Sequence, residues 1–300
     1  MPELPEVENA RRFLEAAVLG RRILEAQVRD RRILAGGPAV QADNAGELPE
    51  SDLQQCLPGR QFSSALRHGK RIFLRLVQAD RDGPQAEGKR ELPGGQKGGS
   101  KGRGVAEAEL WLTLHLGLTG SLLSLDPGEV EPRHTRLLIT FADGGRLAFD
   151  DPRIFGEVSL TKSPQAFLKE RRIGPDALQM DEETFKGIMS GRRGLIKPAL
   201  LNQRLISGLG NLYADEALFQ SGICPKARGL DEEEISILFF WIQEVLKTAL
   251  ALGADLGRLP KSYLLPNRHP KGQCPRDGSP LCREKIGGRT SYYCPVHQSR

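Results

Sequence analysis

The chain has 300 residues, 39% of them hydrophobic, and carries 43 Lys or Arg against 38 Asp or Glu, a net charge of +5. This length allows two domains with buried cores, and neither a membrane-spanning apolar run nor a secretory leader is expected from the sequence. Five cysteines, three of them near the C-terminus, argue against a disulfide scaffold and favour a local metal site, so we expect a cytoplasmic protein.

The first predicted element is a helix from about Pro5 to Leu19. Pro5 suits the first turn of a helix, where a missing N–H costs nothing, and Glu6 and Glu8 favour the positive end of the helix dipole. Apolar residues follow at three- and four-residue spacing and predict one buried face. The helix itself does not explain the two residues that stand after Met1.

Those two residues, Pro2 and Glu3, have a chemical use as well as a structural one. If Met1 is removed, Pro2 presents a secondary amine with a pKa of roughly 8, which can attack an aldehyde-like sugar carbon and form an iminium. Glu3 could then move the protons of that reaction. The alternative is an ordinary lead-in to a helix, and these two residues alone favour that alternative.

The middle of the N-terminal half is predicted to form antiparallel strands. Residues 71–76, 110–125, 136–151 and 156–160 combine β-branched or aromatic residues with alternation or glycine turns. Residues 79–104 are rich in glycine and charge without an apolar period, which predicts a flexible surface insertion.

From about residue 163 the pattern favours helices. Short helices are predicted at 181–191, 197–206 and 211–222, and Asp231 with Glu234 forms a capping-box pattern that opens a longer one. From about residue 265 the chain is basic, punctuated by Gly and Pro, and carries cysteines, which is typical of a small appended module. We therefore divide the chain into residues 1–162, 163–264 and 265–300.

Basic residues are unevenly distributed over these segments. Residues 258–300 hold nine Lys or Arg and two acidic residues, and a second basic cluster covers residues 60–75. Such clusters suit a polyanion such as a nucleic acid, although a solvated basic surface gives the same pattern.

The opening string "MPELPEVE" resembles the start of the bacterial formamidopyrimidine-DNA glycosylases (Fpg, or MutM), and further motifs match in order over nearly the whole length. The resemblance implies an α+β fold: an N-terminal helix with an antiparallel β-sandwich, then a helix–two-turn–helix domain with a β-hairpin zinc-finger-like module. It also implies a monomeric base-excision-repair enzyme that removes oxidised purines from double-stranded DNA and cleaves at abasic sites. Pro2 would be the nucleophile, Glu3 the acid/base catalyst and Glu6 a second motif glutamate.

Three further motifs imply contacts with the damaged nucleotide and the opened duplex. "HGKRIFL" resembles a family turn whose lysine, here Lys70, lies at the lesion. "HLGLTGSL" places Leu118 where the family fills the gap left by the everted base, and "DPRIFG" places Arg153 and Phe155 where the orphaned base is contacted. DNA contact is also assigned to His134. For each residue alone, the more ordinary explanation is a solvated lysine, a turn leucine or a core phenylalanine.

Contacts with the DNA backbone are implied by "IKPALLNQRLISGLGNLYADEALF", which resembles the family's helix–two-turn–helix element. Asn211 is expected to cap the second helix while free backbone N–H groups face a phosphate. The resemblance assigns phosphate binding to Lys197 and Asn211, and to Arg289 in "GRTSYYC". A simple helical hairpin with a capping asparagine is the alternative.

The C-terminal module keeps the spacing of the family's four zinc-binding cysteines but changes two of the residues. The four positions hold Cys274, Asp277, Cys294 and His297, with Cys282 as a substitute for Asp277. We expect one structural zinc, and a hairpin without zinc is the alternative.

Substrate preference is left open by one more difference. The segment 256–272 looks shorter than the family's loop that closes over 8-oxoguanine. This difference keeps open an enzyme of the endonuclease VIII class that acts on oxidised pyrimidines. Two alternatives from other functional classes are a non-catalytic binder of damaged DNA and a general nucleic-acid-binding protein.

Overall fold

A computed structural model describes residues 2–34, 51–79 and 109–298 of the chain, apart from the side chains of residues 51 and 52. The predicted insertion at 79–104 and Met1 lie outside these residues, except for residue 79. No helix in the described ranges is both long and apolar enough to cross a membrane.

The N-terminal part consists of a helix and two four-stranded antiparallel sheets. Helix α1 is followed by a strand, a short helix and seven more strands: α1 Leu4–Val18, β1 Ile23–Val28, α2 Ser51–Cys56, β2 Arg60–His68, β3 Arg71–Gln78, β4 Leu110–His115, β5 Ser121–Leu125, β6 Thr135–Phe141, β7 Arg146–Asp150 and β8 Glu157–Thr161. One sheet has the order β1-β6-β7-β5 and the other β2-β3-β4-β8. The two sheets share one apolar core with α1, which makes this part a β-sandwich.

Burial follows the position of each strand. The inner strand β4 is buried along nearly its whole length, because it has neighbours on both edges and packing on both faces. Strand β5 is an edge strand and is largely exposed. The core that results contains residues of both sheets and one face of α1: Val7, Leu14, Val18, Ile23, Phe62, Ile72, Leu74, Leu112, Leu114, Ile139, Phe141 and Phe149.

The second part is helical and ends in a hairpin. Its helices are α3 Pro164–Glu170, α4 Glu182–Met189, α5 Ile196–Leu201, α6 Asn211–Gln220 and α7 Glu232–Ala251, and its strands are β9 Cys282–Ile286 and β10 Arg289–Tyr293. Helix α6 is buried almost all round, because α5, α7 and β10 pack against it. It is therefore the centre of this part of the molecule.

The predicted α+β fold with a sandwich, a helical domain and a C-terminal hairpin is confirmed. The capping box of Asp231 and Glu234 is present at the start of α7, with Glu234 N donating to Asp231 at 2.8 Å. The helix predicted over 197–206 was too long: α5 ends at Leu201, and the chain turns over the next residues. Strand β1 and helices α2 and α3 were not predicted, since their short sequences carry no clear period.

Candidate active site

Three segments that are distant in the sequence meet in front of α1. They are the residues before α1, the β2–β3 turn at Gly69–Lys70, and the turn that leads into α6. Leu4 N donates to Gly208 O at 3.1 Å, which ties the first segment to the third. The N-terminal residues are therefore held against the helical domain, while their helix belongs to the sandwich.

Glu3 is almost completely buried, and its carboxylate lies at the N-terminus of α6. It accepts hydrogen bonds from Leu212 N at 2.9 Å and Tyr213 N at 3.3 Å, so it satisfies two donors that an α-helix leaves unpaired. Gly210 makes room for it, because a Cβ atom there would overlap the carboxylate. Burial raises the pKa of Glu3, while the charge of Lys70 and the two N–H donors oppose that rise.

Glu6 fixes the backbone of the residues beside Pro2. One carboxylate oxygen accepts from Glu3 N at 2.9 Å, which completes a capping box with the Glu3 side chain. The other oxygen accepts from the buried Tyr213 hydroxyl at 2.8 Å. Pro2, half-buried, is thus joined to a residue whose backbone and side chain are both held in place.

Lys70 is half-buried in the turn between β2 and β3. Burial lowers the pKa of its ammonium, and the positive charge of Arg289 on β10 acts in the same direction. The carboxylates of Glu3 and Glu6 oppose that change. Four of the residues predicted from the motifs are therefore close enough to influence one another's charge: Glu3, Glu6, Lys70 and Arg289.

A cavity of about 140 Å³ lies beside Lys70 and is lined by His115, Gln203 and Ser207 among others. The Nδ1 atom of His115 accepts from Gly117 N at 3.2 Å. Burial lowers the pKa of His115 to about 4, so its ring is neutral at physiological pH. The cavity therefore lies between the lysine and a neutral imidazole ring.

The Lys70 turn is held by a carboxylate that sequence reasoning missed. Asp176, nearly fully buried, accepts from Gly69 N at 2.6 Å and forms an ion pair with Arg67. Arg67 also donates to Gly69 O at 3.1 Å and to Glu8 at 3.1 Å. Asp176 lies outside every motif, so only the three-dimensional structure reveals this contact.

These ion pairs correct the interpretation of the basic cluster at 60–75. Arg67 is buried against Asp176, Arg71 pairs with Glu157 at 2.6 Å, and Arg75 pairs with Glu109. Much of that charge is neutralised within the protein by carboxylates on other segments of the fold. The cluster as a whole is therefore not a free basic surface.

Leu118, Arg153 and Phe155 lie on two adjacent loops at the end of the sandwich. Leu118 is half-exposed, Arg153 is exposed, and the Phe155 side chain is 51% exposed. The Arg153 guanidinium lies 4.8 Å from the centre of the Phe155 ring. An exposed ring of this size excludes the core-phenylalanine interpretation. His134 is half-exposed near the same end of the sandwich, and its backbone N–H donates to Asp150 Oδ1 at 2.9 Å.

Asn211 and Lys197 are held differently from the sequence expectation. Gly210, not Asn211, is the N-cap of α6, and two N–H groups of the first turn are bonded to Glu3 instead of being free. Asn211 donates from Nδ2 to Thr290 O at 2.9 Å, and its buried Oδ1 atom has no hydrogen-bond partner among the residues that the structure describes. The capping expectation was wrong, because the carboxylate from α1 occupies that position.

Lys197 is fully buried between α6 and the hairpin. Its Nζ atom lies 2.5 Å from both Asp215 Oδ1 and Ser291 Oγ. Asp215 also accepts from Arg268 at 2.9 Å and from Tyr292 N at 3.2 Å. The ammonium thus joins α5, α6 and β10, and Lys197 has no exposed surface.

Three of the predicted metal ligands come together in the C-terminal module. The Sγ atoms of Cys274 and Cys294 and a carboxylate oxygen of Asp277 all lie within 4.8 Å of one another. His297 does not join this group, since its Nε2 atom is 2.8 Å from Phe219 O. Cys282 lies opposite Tyr293 in the β9–β10 ladder and does not join it either.

Comparison with known proteins shows which family the chain is similar to. The chain matches the model of the formamidopyrimidine-DNA glycosylase N-terminal domain over residues 1–158 and that of the formamidopyrimidine-DNA glycosylase H2TH domain over residues 173–259. A formamidopyrimidine-DNA glycosylase of Corynebacterium aurimucosum is 32% identical, with 100% of this chain and 97% of the relative covered. One from Arabidopsis thaliana is also 32% identical, with 99% of this chain and 71% of the relative covered.

Solved structures of the same family are similar over the full length. The Lactococcus lactis formamidopyrimidine-DNA glycosylase bound non-covalently to DNA with an abasic site has a TM-score of 0.79 and 26% identity, with 100% of both chains covered. The same protein bound to DNA containing N7-benzyl-Fapy-dG has a TM-score of 0.76 and 26% identity, with the same coverage.

Proposed function

The chain belongs to the formamidopyrimidine-DNA glycosylase family, which makes it a base-excision-repair enzyme that removes oxidised purines from DNA, and we propose that Pro2 is the nucleophile of this reaction. Abasic-site lyase activity is typical of the family. The observation that supports Pro2 is its position beside Glu3, whose buried carboxylate is fixed by two N–H groups of α6. A buried carboxylate whose pKa is shifted by burial, with a charged lysine nearby and an amine beside it, is typical of a functional site.

The first step forms one bond and breaks another. With Met1 removed, the neutral amine of Pro2 attacks C1′ of the damaged nucleotide, and the bond from C1′ to the base breaks with its electron pair leaving on the base. The amine then loses its proton, and its lone pair forms the iminium to C1′ while the bond from C1′ to the sugar ring oxygen breaks. The departing base and the ring oxygen each take up one proton. Glu3 is placed to move these protons, because its raised pKa brings the acid closer to neutral pH.

The second stage cleaves the strand. The iminium between Pro2 and C1′ withdraws electrons, so a base can remove a proton from C2′ and the 3′-phosphate leaves. A second elimination releases the 5′-phosphate, and hydrolysis of the iminium returns the amine. Lys70 carries positive charge next to Glu3 and is suited to a phosphate or to the developing negative charge.

The remaining predicted residues are assigned to DNA binding within this proposal. Leu118, Arg153 and Phe155 are exposed enough to enter a duplex from which a base has been everted. Arg289 is exposed on β10, and its positive charge acts on Lys70. It is therefore suited to bind a backbone phosphate. His134 and Asn211 are assigned to the same surface. Lys197 would reach a phosphate only through a rearrangement of its bonds to Asp215 and Ser291.

The proposal is tested by adding borohydride to the reaction of the protein with three duplexes. They carry 8-oxoguanine opposite cytosine, an oxidised pyrimidine, or an abasic site. Borohydride converts the iminium into a stable amine, so a covalent protein–DNA product reports attack by an amine. We expect trapping on the 8-oxoguanine and abasic duplexes, with peptide mapping that places the link at Pro2. Trapping on the oxidised-pyrimidine and abasic duplexes but not on the 8-oxoguanine duplex would instead indicate the endonuclease VIII class. No trapping, with Met1 shown to be absent, would contradict the proposal.

We also propose that the C-terminal module binds one zinc through Cys274, Asp277 and Cys294, and that the His297 ring, which lies outside this group in the structure, moves to become the fourth ligand. The donor types suit zinc, and the 3.2 Å between Cys294 Sγ and Asp277 Oδ2 is a spacing that ligands of one tetrahedral ion adopt. Bonding to Ser279 and its neighbours lowers the pKa of Asp277 to about 2, so this oxygen ligand is ionised. If His297 Nε2 donates to Phe219 O, its Nδ1 atom keeps the lone pair that a metal needs.

We expect about one zinc per chain in protein purified with zinc present, measured by mass spectrometry of the metal. Cys274→Ser and Cys294→Ser should each lose most of it, because the thiolate is the stronger ligand. Cys224→Ser, at a half-buried cysteine outside the group, is the matched control and should keep the metal. A zinc content that depends on Cys282 but not on Asp277 would show that the alternative ligand set is the right one.

A further inference from the structure

The two loops that carry Leu118, Arg153 and Phe155 share one buried carboxylate. Asp151 has no exposed surface and stands at the end of β7, where the second loop begins. Its Oδ1 atom accepts from the hydroxyl of Thr119 at 2.6 Å, and Thr119 follows Leu118 in the first loop. No motif of the sequence assigns a role to Asp151 or Thr119.

The same carboxylate also organises the second loop. Asp151 Oδ2 accepts from Gly156 N at 2.7 Å, and Oδ1 accepts from Arg153 N at 3.3 Å. These bonds bracket Ile154, a β-branched residue at φ 57°, a left-handed conformation that such a residue rarely adopts. A strained residue persists only where its surroundings hold it, and here the carboxylate binds the backbone on both sides of it.

The loops also touch directly through their backbones. Gly117 has a positive φ of 63°, and a Cβ atom there would overlap the backbone of Phe155. The close approach is possible only because Gly117 has no side chain. Leu118 and Phe155 therefore project from two loops that are in contact and that both bind the Asp151 carboxylate.

We propose that Asp151 is a positioning residue that joins the loops 116–120 and 151–156 into one rigid wedge, with Thr119 as its link to the first loop. This inference rests on the proposed function, in which Leu118, Arg153 and Phe155 occupy the space left by the everted base. A wedge is useful only if its parts enter the duplex together, because a partly filled gap leaves neighbouring bases unstacked. Asp151 itself touches neither the sugar nor the base.

The inference predicts a loss that depends on the substrate. A paired 8-oxoguanine must be driven out of the stack, whereas an abasic nucleotide has no base to unstack. Disturbing the wedge should therefore slow excision from a duplex and leave strand cleavage at a preformed abasic site nearly unchanged.

Thr119→Val is the sharpest test, since it keeps the shape of the side chain and removes only the hydroxyl donor, leaving the bonds from Asp151 to Gly156 and Arg153 in place. We expect single-turnover excision of 8-oxoguanine to be slowed roughly 10- to 100-fold, the usual effect of losing a hydrogen bond to a charged group. Cleavage at an abasic site should change less than about threefold on the same scale. Fluorescence of 2-aminopurine next to the lesion should show slower duplex opening.

Thr140→Val is the matched control, because Thr140 pairs with Arg146 at the end of β6 far from the loops. In the double variant Thr119→Val/Phe155→Ala, the loss of excision rate, expressed as activation free energy, should be smaller than the sum of the two separate losses. Both changes disable the same wedge. Asp151→Asn should resemble Thr119→Val, and if it does not fold, the threonine variant carries the test.

The possible failures are distinguishable. Three results would each overturn the role of Asp151. In Thr119→Val, the rate of abasic-site cleavage could fall as far as the excision rate, or the excision rate could stay unaltered. The third is that the effects of Thr119→Val and Phe155→Ala on the excision rate simply add. Wild-type protein that is inactive on every duplex would overturn the proposed function instead.

Discussion

Insertion of one alanine between Met1 and Pro2 is expected to abolish borohydride trapping and to slow excision at least 100-fold. After removal of Met1, the insertion leaves a free amine but moves it one residue, about 3.8 Å, from the position beside Glu3. Misplacement of a reacting group by about 1 Å alone can cost a factor of 100. The measurement is the single-turnover rate on an 8-oxoguanine·cytosine duplex, with the covalent product followed on a denaturing gel.

Two comparisons separate loss of the nucleophile from loss of the fold. Pro2→Gly keeps an amine at the original position, and it should retain part of the trapping that the insertion loses. Binding to a duplex with a tetrahydrofuran abasic analogue should stay within a few-fold of wild type in both variants, because neither change touches the wedge or the hairpin. Mass spectrometry must confirm the N-terminus of each protein. Rapid trapping by the insertion variant would place the nucleophile elsewhere.

The sequence predicted the elements whose signals are local. Helix α1 begins within one residue of the prediction, because Pro5 and the apolar spacing both act within the helix. The capping box of α7 was found for the same reason. Predictions for the site rested on motif positions, and the structure brings Glu3, Glu6, Lys70 and Arg289 into one charged neighbourhood.

Contacts between distant segments could not be predicted, since they depend on how the two parts of the molecule dock. The position of Glu3 at the N-terminus of α6 joins residues more than two hundred positions apart. Asn211 lost its expected capping role to that carboxylate, and Lys197 lost its expected exposure to Asp215. In each case an acidic partner that is distant along the chain or on another helix decides what the predicted residue does in the folded chain.

Glu3→Gln is expected to slow excision by a factor of about 100 to 10,000, the range typical of a lost general acid–base group. The side chain keeps its size and can still accept one N–H from α6. It can no longer gain or lose a proton at the site. The rate is measured on the same duplex under single-turnover conditions.

The pH profile gives a second, independent readout. Burial raises the pKa of Glu3 in the folded protein, so its change of charge falls at higher pH than that of an ordinary glutamate. The limb of the rate profile that belongs to this group should therefore lie above the usual glutamate pKa in wild type and be absent in Glu3→Gln. An unchanged profile in the variant would show that another group moves the proton.

Stability should fall in the same variant, for a reason that the geometry makes explicit. The carboxylate accepts from both Leu212 N and Tyr213 N, whereas the amide of glutamine would point its NH2 group at one of these two donors. Leaving one buried N–H unpaired costs about 1–3 kcal/mol, to be read from urea unfolding.

Glu233→Gln, exposed in the first turn of α7, is the matched control and should change neither rate nor stability. A fully stable Glu3→Gln variant with low activity would show that this carboxylate acts in the chemistry alone; a destabilised but fully active one would show that it only joins the two domains.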